Sequence, residues 1–149
     1  MTTIPRSTQL STFSTVKTIL KTSSGLVKFS DSDYYQHFPK LKSSSFGGFP
    51  FIHINIPINS DNDMFLGVNS KDRTFEVPVR IYVKYEFRDD MLGFINAALD
   101  VLDSSDSTFQ DSGYYESDVR LADEPLPTVL DTQTILVADI LLTLEGEVR

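Results

Sequence analysis

Hydrophobic and polar positions alternate most clearly between Phe75 and Arg88. Phe75, Val77, Val79, Ile81, Val83, Tyr85 and Phe87 fill the odd positions, and Glu76, Pro78, Arg80, Tyr82, Lys84, Glu86 and Arg88 the even ones. A period of two, rich in β-branched and aromatic residues, predicts a strand with one buried and one wet face. A shorter run has the same period: Ile52, Ile54, Ile56 and Ile58 alternate with Phe51, His53, Asn55 and Pro57. It predicts a strand whose isoleucine face turns to the core. Pro57 marks an edge or the strand's end, and Pro78 an edge or a bulge. Over Thr132 to Leu144, Leu136, Ala138, Ile140, Leu142 and Leu144 lie on one face, with Ile135, Val137 and Leu141 on the other. Two apolar faces predict a central, well-covered strand. A further strand is expected near Tyr114 to Ala122, with Pro125 and Pro127 interrupting before the last one.

Two segments show the helical period instead. Leu10, Phe13, Val16, Ile19 and Leu20 share one face, with Pro5 at the entry, Ser7 or Thr8 as cap and Gly25 as stop. Many Ser and Thr fill this segment, so the helix must draw on tertiary packing. Leu92, Ile95, Leu99 and Leu102, with Ala98 beside them, form the stripe of a second helix that starts after Asp89 and Asp90. Residues 23–48 read as an irregular connection containing the flexible stretch Ser43 to Gly48. Residues 103–118 read as acidic and polar, with Gly113 as a turn.

The order helix, strand, strand, helix, strand, strand gives an α+β fold in one domain spanning residues 1–149. Its sheet, mixed or antiparallel, has four long strands flanked by two helices. Fourteen residues from Phe75 to Arg88 would extend about 46 Å, against a diameter of about 40 Å for a compact chain of this length. The strand therefore either curves within the domain or projects as a hairpin arm with Ile52–Ile58, an arm that a partner subunit would cover. Ile54, Ile56, Val79, Val83 and Tyr85 are the expected subunit-contact residues.

Charge adds a second asymmetry. The net charge is −8. Residues 1–50 carry Arg6, Lys17, Lys21, Lys28, Lys40 and Lys42 against Asp31 and Asp33, a net of +4, while the remaining 99 residues sum to −12. An acidic chain is a poor match for a protein that grips DNA by its phosphates. The pattern suits either a solvated acidic surface or subunits that meet basic face to acidic face. No stretch approaches the roughly 20 apolar residues of a bilayer span, so no membrane partner is expected. Met1 to Pro5 lacks the basic start and apolar run of a secretory signal.

Candidate chemistry is sparse. With 0 Cys, neither a disulfide nor a thiol nucleophile is possible. His37 sits in the aromatic segment Tyr34 to Phe38 and His53 between isoleucines, both positions that packing explains. Asp61 and Asp63 have the start of a calcium loop but lack its third oxygen ligand, its glycine and its terminal glutamate. Asp103, Asp106 and Asp111 are irregularly spaced for a cation. Neither a nucleophile elbow nor a phosphate-cradling glycine loop is present. No enzyme activity, no cofactor and no metal are expected.

The helix–strand–strand–helix–strand–strand order, with Phe49-Pro50-Phe51-Ile52-His53-Ile54 after a helix and long loop, resembles the tail terminator (tail completion) proteins of tailed bacteriophages. The alternating Val77–Phe87 strand, the Leu92–Leu102 helix and the closing Ile135–Leu144 strand complete the resemblance, which covers essentially the whole chain. It implies a virion protein without catalytic activity, assembled in the host cytoplasm, that forms a hexameric ring capping the tail tube and joining it to the head. The implied partners are further copies of itself, the tail tube protein and neck or connector proteins, with sheath protein as a further candidate. DNA would pass only non-specifically. In such a ring, Asp103, Asp106, Asp111, Glu116 and Asp118 would line an acidic channel that repels the duplex. Two other readings stay open: a head–tail connector or other small interaction module, and a small hydrolase with an acidic site.

Overall fold

The computed structural model describes residues 3–4, 12–55, 57–59, 64–65 and 71–148. Along them run β1 (Thr3–Ile4), α1 (Thr12–Lys21), β2 (Tyr34–Tyr35), β3 (Phe51–Ile54), β4 (Ile58–Asn59), β5 (Met64–Phe65) and β6 (Lys71–Lys84). Then come α2 (Met91–Asp103), α3 (Asp106–Asp111), β7 (Tyr114–Leu130) and β8 (Gln133–Val148), with short 3-10 segments at Ser24–Leu26, Asp31–Asp33 and Tyr85–Asp90. The fold is α+β, built on a mixed sheet. Across the sheet the order is β7, β8, β6, β3, β2. β6 is antiparallel to both β3 and β8, β7 is antiparallel to β8, and β2 is parallel to β3. β4 and β5 also pair with β6, while β1 runs parallel to the end of β8.

The alternation of β6 buries what it predicts. Phe75, Val77, Val79, Ile81 and Val83 join Leu136, Ala138, Ile140, Leu142 and Leu144 of β8 beneath the helices. Val16, Ile19 and Leu20 of α1 and Phe94, Ile95, Ala98 and Leu102 of α2 close this core from above. Each buried Val, Leu, Ile or Phe side chain among them contributes about 1.5–3 kcal/mol. Gly25 does not end α1, which stops at Lys21. It lets the chain pass over α2, where an added Cβ would lie 2.6 Å from the Ala97 Cβ.

A second, smaller core lies on the opposite face of the sheet. Phe51 and Tyr82 stack there at 4.5 Å with ring planes 12° apart. Ile135 is buried with them, and Tyr35, Leu41, Phe46 and Phe49 pack around the group. The connection before β3 is therefore irregular but useful: its aromatic side chains cover part of the helix-free face.

Several expectations are corrected. The isoleucine strand is not one long one-faced element. β3 covers only Phe51–Ile54 and is buried on both faces, because the helices cover one side and the aromatic connection the other. Ile58 belongs to the separate β4, and Ile56 lies outside the described residues. β6 has fourteen residues, but it starts at Lys71 and ends at Lys84. Tyr85 and Phe87 keep the period of two, yet they lie in a 3-10 segment and are exposed. In α2 the buried stripe is Met91, Phe94, Ile95, Ala98 and Leu102, leaving Leu92 66 % exposed. Residues 103–118 contain the additional short helix α3. Pro125 and Pro127 do not interrupt: β7 runs through both for 17 residues. Its outer side has no pairing neighbour among the described residues, so the missing N–H groups cost no ladder bond there. β8 does occupy the centre, between β6 and β7.

Candidate functional site

The expected contact residues on β3 and β6 serve the chain's own interior. Ile54, Val79 and Val83 belong to the main core, fully enclosed beneath α1 and α2, so their side chains have no surface to offer a partner. Tyr85 alone of the described set reaches solvent, with the Arg88 guanidinium 4.7 Å from its ring centre. The expected antiparallel pairing of the isoleucine segment with β6 is present, but as short β3 and β4 against a long strand within the sheet; the hairpin of two long strands is formed by β7 and β8.

This hairpin turns at Asp131 and Thr132, both with positive φ, 50° and 64°. Two such residues make the primed turn whose twist matches the flanking strands. Lys42 Nζ lies 3.6 Å from Asp131 Oδ1 and ties the turn to the aromatic connection. Along the distal half of β7, Leu126 and Val129 are 66 % and 71 % exposed. Register places Leu126 opposite Val137 and Val129 opposite Thr134, so the two side chains leave opposite faces of the ribbon. On the helix side, a groove runs between α2 and β7, lined by Leu92, Ile95, Leu99, Leu121, Pro125 and Leu136. Two irregularities in the β7–β8 register, at Leu121/Asp123 and Asp123/Leu126, bend this stretch of edge strand.

The expected acidic residues separate into two groups. Glu116 and Asp118 stand opposite Glu145 and Thr143 on the helix-free face. The same face carries Glu76, Asp123 and Asp139, with Arg80 and Arg120 as counter-charges. Asp103, Asp106 and Asp111 lie instead at the end of α2 and in α3, within the helix layer. Asp106 Oδ1 accepts a hydrogen bond from Ser117 Oγ at 2.7 Å, which fastens α3 to β7. All five are exposed. Sequence reasoning missed Glu76, Asp123, Asp139 and Glu145, because only the strand register shows that they share a face. The basic residues of the first third are largely engaged within the chain. Lys17 and Lys21 both reach Asp31 Oδ1, at 3.1 and 2.7 Å, and hold that carboxyl below its ordinary pKa. Lys28 pairs with Asp90 at 3.5 Å.

The buried polar groups have structural surroundings. His53 Nε2 lies 3.2 Å from the Gln36 carbonyl, and burial holds the imidazole pKa below its usual value. Tyr34 is buried with an unsatisfied hydroxyl, and desolvation raises its pKa to about 12. Tyr114 shares a hydrogen bond with Thr12 at 3.3 Å. Between α1 and α3 an open cleft of about 530 Å³ is lined mainly by Ser and Thr hydroxyls. Among the described residues, no three His, Asp or Glu side chains are grouped to hold a metal ion. Asp61 and Asp63 lie outside the described residues. No helix among the described residues is long and apolar enough to cross a membrane.

The fold thus defines an α+β chain whose distinctive surfaces are a long edge hairpin with apolar side chains at its tip and an acidic sheet face. No family model matches the chain, and no curated protein matches its sequence.

Proposed function

We propose that this chain is a structural subunit of a tailed-phage virion, forming a ring that caps the tail tube and joins it to the head–neck. The observation that supports this reading best is the β7–β8 hairpin, whose tip exposes Leu126 and Val129 on opposite faces. Such an element gains most when a neighbouring subunit covers it. Its partners are other copies of the chain, the tail tube protein and neck or connector proteins, with sheath protein where the tail contracts. The subunit carries no catalytic role.

In that ring the helix-free acidic face is the channel lining. Glu76, Glu116, Asp118, Asp123, Asp139 and Glu145 would repel phosphates over about a Debye length, roughly 8 Å at physiological salt, and keep passing DNA mobile. Asp103, Asp106 and Asp111 would face away from it.

Light scattering and particle images of the purified chain test the reading. A hexamer of 16.8 kDa subunits has a mass of about 100 kDa and appears as a ring. A chain that stays at its monomer mass, alone and with tube protein at about 100 μM, sinks it. A complex with a partner but no ring would favour a connector or other interaction module instead.

A further inference from the structure

The outer edge of β7 is blunted unevenly. An exposed sheet edge is a template for another strand, and prolines and bulges are devices that protect it. In β7 these devices sit toward the two ends: a register shift at Tyr114/Glu116, two more between Leu121 and Leu126, and the prolines Pro125 and Pro127. Between them, residues 116–121 pair with β8 without interruption and contain no proline. Their outer side has no pairing neighbour among the described residues.

The backbone of this stretch offers its outer groups in a defined alternation. The Pro78 carbonyl of β6 accepts the Asn55 N–H, on the side away from β8. Leu141, opposite Pro78, therefore directs its own N–H and C=O toward β7, where Arg120 stands. Glu116 and Asp118 turn inward with Arg120, and the N–H and C=O groups of Ser117, Val119 and Leu121 point outward. The side chains of Glu116, Asp118 and Arg120 are exposed on the helix-free face. Neither Asp118 nor Arg120 has an ion-pair partner among the described residues.

Charge then selects a second copy of β7 as the occupant and fixes its register. A twofold β7–β7 ladder that uses the outward groups must pair odd positions with odd ones. Centred on Asp118 or on Arg120, it sets that charge against its own copy. Centred on Ser117 it sets Glu116 against Asp118, and centred on Leu121 it sets Asp118 against Glu124. Like charges directly opposite destabilise a sheet. Centred on Val119, the ladder sets Asp118 against Arg120 twice, with Glu116 beside the uncharged Ala122.

We infer that two copies of this chain join their β7 edges antiparallel about a twofold axis at Val119. Val119 bonds to its own copy and Ser117 to Leu121 of the second copy, giving about six backbone hydrogen bonds. Directly opposed residues share a face, so the acidic faces of the two copies become continuous. The contact closes on two copies and uses the proximal half of β7, away from Leu126 and Val129, so it is independent of the ring reading. Each copy carries a net charge of −8, and the ladder forms against that repulsion, which physiological salt screens beyond about 8 Å.

Reversing the charges at this register tests the contact. Asp118→Arg and Arg120→Asp each set like charges opposite one another in the pair, at exposed positions where the fold is preserved. Sedimentation equilibrium in about 0.15 M salt should show each variant associating at least about tenfold more weakly than the unsubstituted chain. An equimolar mixture of the two should associate again, because each offers the charge that the other lacks. So should the chain that carries both substitutions. With 0 Cys in the chain, one engineered thiol also reports the axis. Val119→Cys, with Cα atoms about 5.5 Å apart across the axis, should oxidise to a dimer and no larger species, at least about tenfold in excess of Leu126→Cys. Association that is equally strong in every variant overturns the contact and leaves assembly to another surface. Failure of both the mixture and the double variant to recover overturns it too, as does an unsubstituted chain that stays monomeric at about 100 μM. Thiol dimers from Leu126→Cys with none from Val119→Cys would overturn it in favour of the hairpin tip.

Discussion

Asp123 of β7 stands directly opposite Asp139 of β8 on the helix-free face of the sheet. Arg80 Nε lies 3.6 Å from Asp139 Oδ2, whereas Asp123 has no counter-ion among the described residues. Like charges directly opposite destabilise a sheet. Asp123→Asn should therefore stabilise the isolated subunit by about 0.5 kcal/mol. Thermal melts in low salt and in about 1 M salt check this, because the gain should shrink as salt screens the repulsion. An unchanged or lowered melting temperature in low salt would show that Asp123 is compensated.

The hairpin turn stores strain that one substitution releases. Thr132 is β-branched and held at a φ of 64°. A left-handed backbone costs an L-residue about 1–2 kcal/mol, and glycine avoids most of that cost. Thr132→Gly should stabilise the chain by about 1 kcal/mol, less the extra entropy of glycine in the unfolded state. Urea unfolding measures it, and a loss of stability would mean that the Thr132 side chain makes contacts that outweigh the strain.

Two buried tyrosines should respond oppositely to loss of the hydroxyl. The Tyr34 hydroxyl is buried without a hydrogen-bond partner, while the Tyr114 hydroxyl has Thr12 at 3.3 Å. Tyr34→Phe removes a desolvated polar group and should be neutral or stabilising by up to about 1 kcal/mol. Tyr114→Phe leaves the Thr12 hydroxyl without that partner and should cost about 1 kcal/mol. Equal losses from both in denaturant unfolding would contradict the assignment.

His53 makes stability depend on pH. Burial is the largest cause of its lowered pKa, with the positive charge of Arg80 acting in the same direction and the Gln36 carbonyl opposing. The folded chain therefore resists protonation at a pH where the unfolded chain, with a value of about 6.5, accepts it. The contribution is complete above the unfolded value. It declines as pH falls below that value and is lost by the time the folded pKa is passed. Melting temperatures at about pH 7.5 and about pH 5 should show the fall, and His53→Gln should flatten it. A slope unchanged in the variant would assign the pH dependence to other groups.

The sheet was legible in the sequence where periodicity is local and unambiguous. The odd-numbered apolar positions from Phe75 to Val83 are buried together, and the two-faced apolar pattern of Ile135 to Leu144 does mark the central strand. The candidate site was far less legible. Ile54, Val79 and Val83 were read as contact residues because apolarity alone does not separate a chain's own core from a face left for a partner. The helices that cover them settle that they are core. Glu116 and Asp118 lie on the acidic face, but Asp103, Asp106 and Asp111 do not, because spacing along a polar stretch does not reveal on which side of a sheet a segment packs.

What the sequence by itself determined was the type of element: side-chain alternation follows from the pleat, and the strand period of two needs no distant partner to be recognised. Tertiary structure decided the ends and the faces. Tyr85 and Phe87 continue the alternation of β6, yet the strand's ladder with β8 ends at Lys84 opposite Ile135, and β8 itself begins only two residues earlier, at Gln133. Leu92 and Phe94 of α2 were equally suitable for burial by hydrophobicity, and the position of the helix over the sheet chose Phe94. Pro125 and Pro127 looked like breaks because a central strand needs every N–H. β7 forms no ladder on its outer side, so the same prolines fit within a 17-residue edge strand. In each case the deciding quantity was whether a backbone or side-chain group met a partner distant in sequence, which no local pattern encodes.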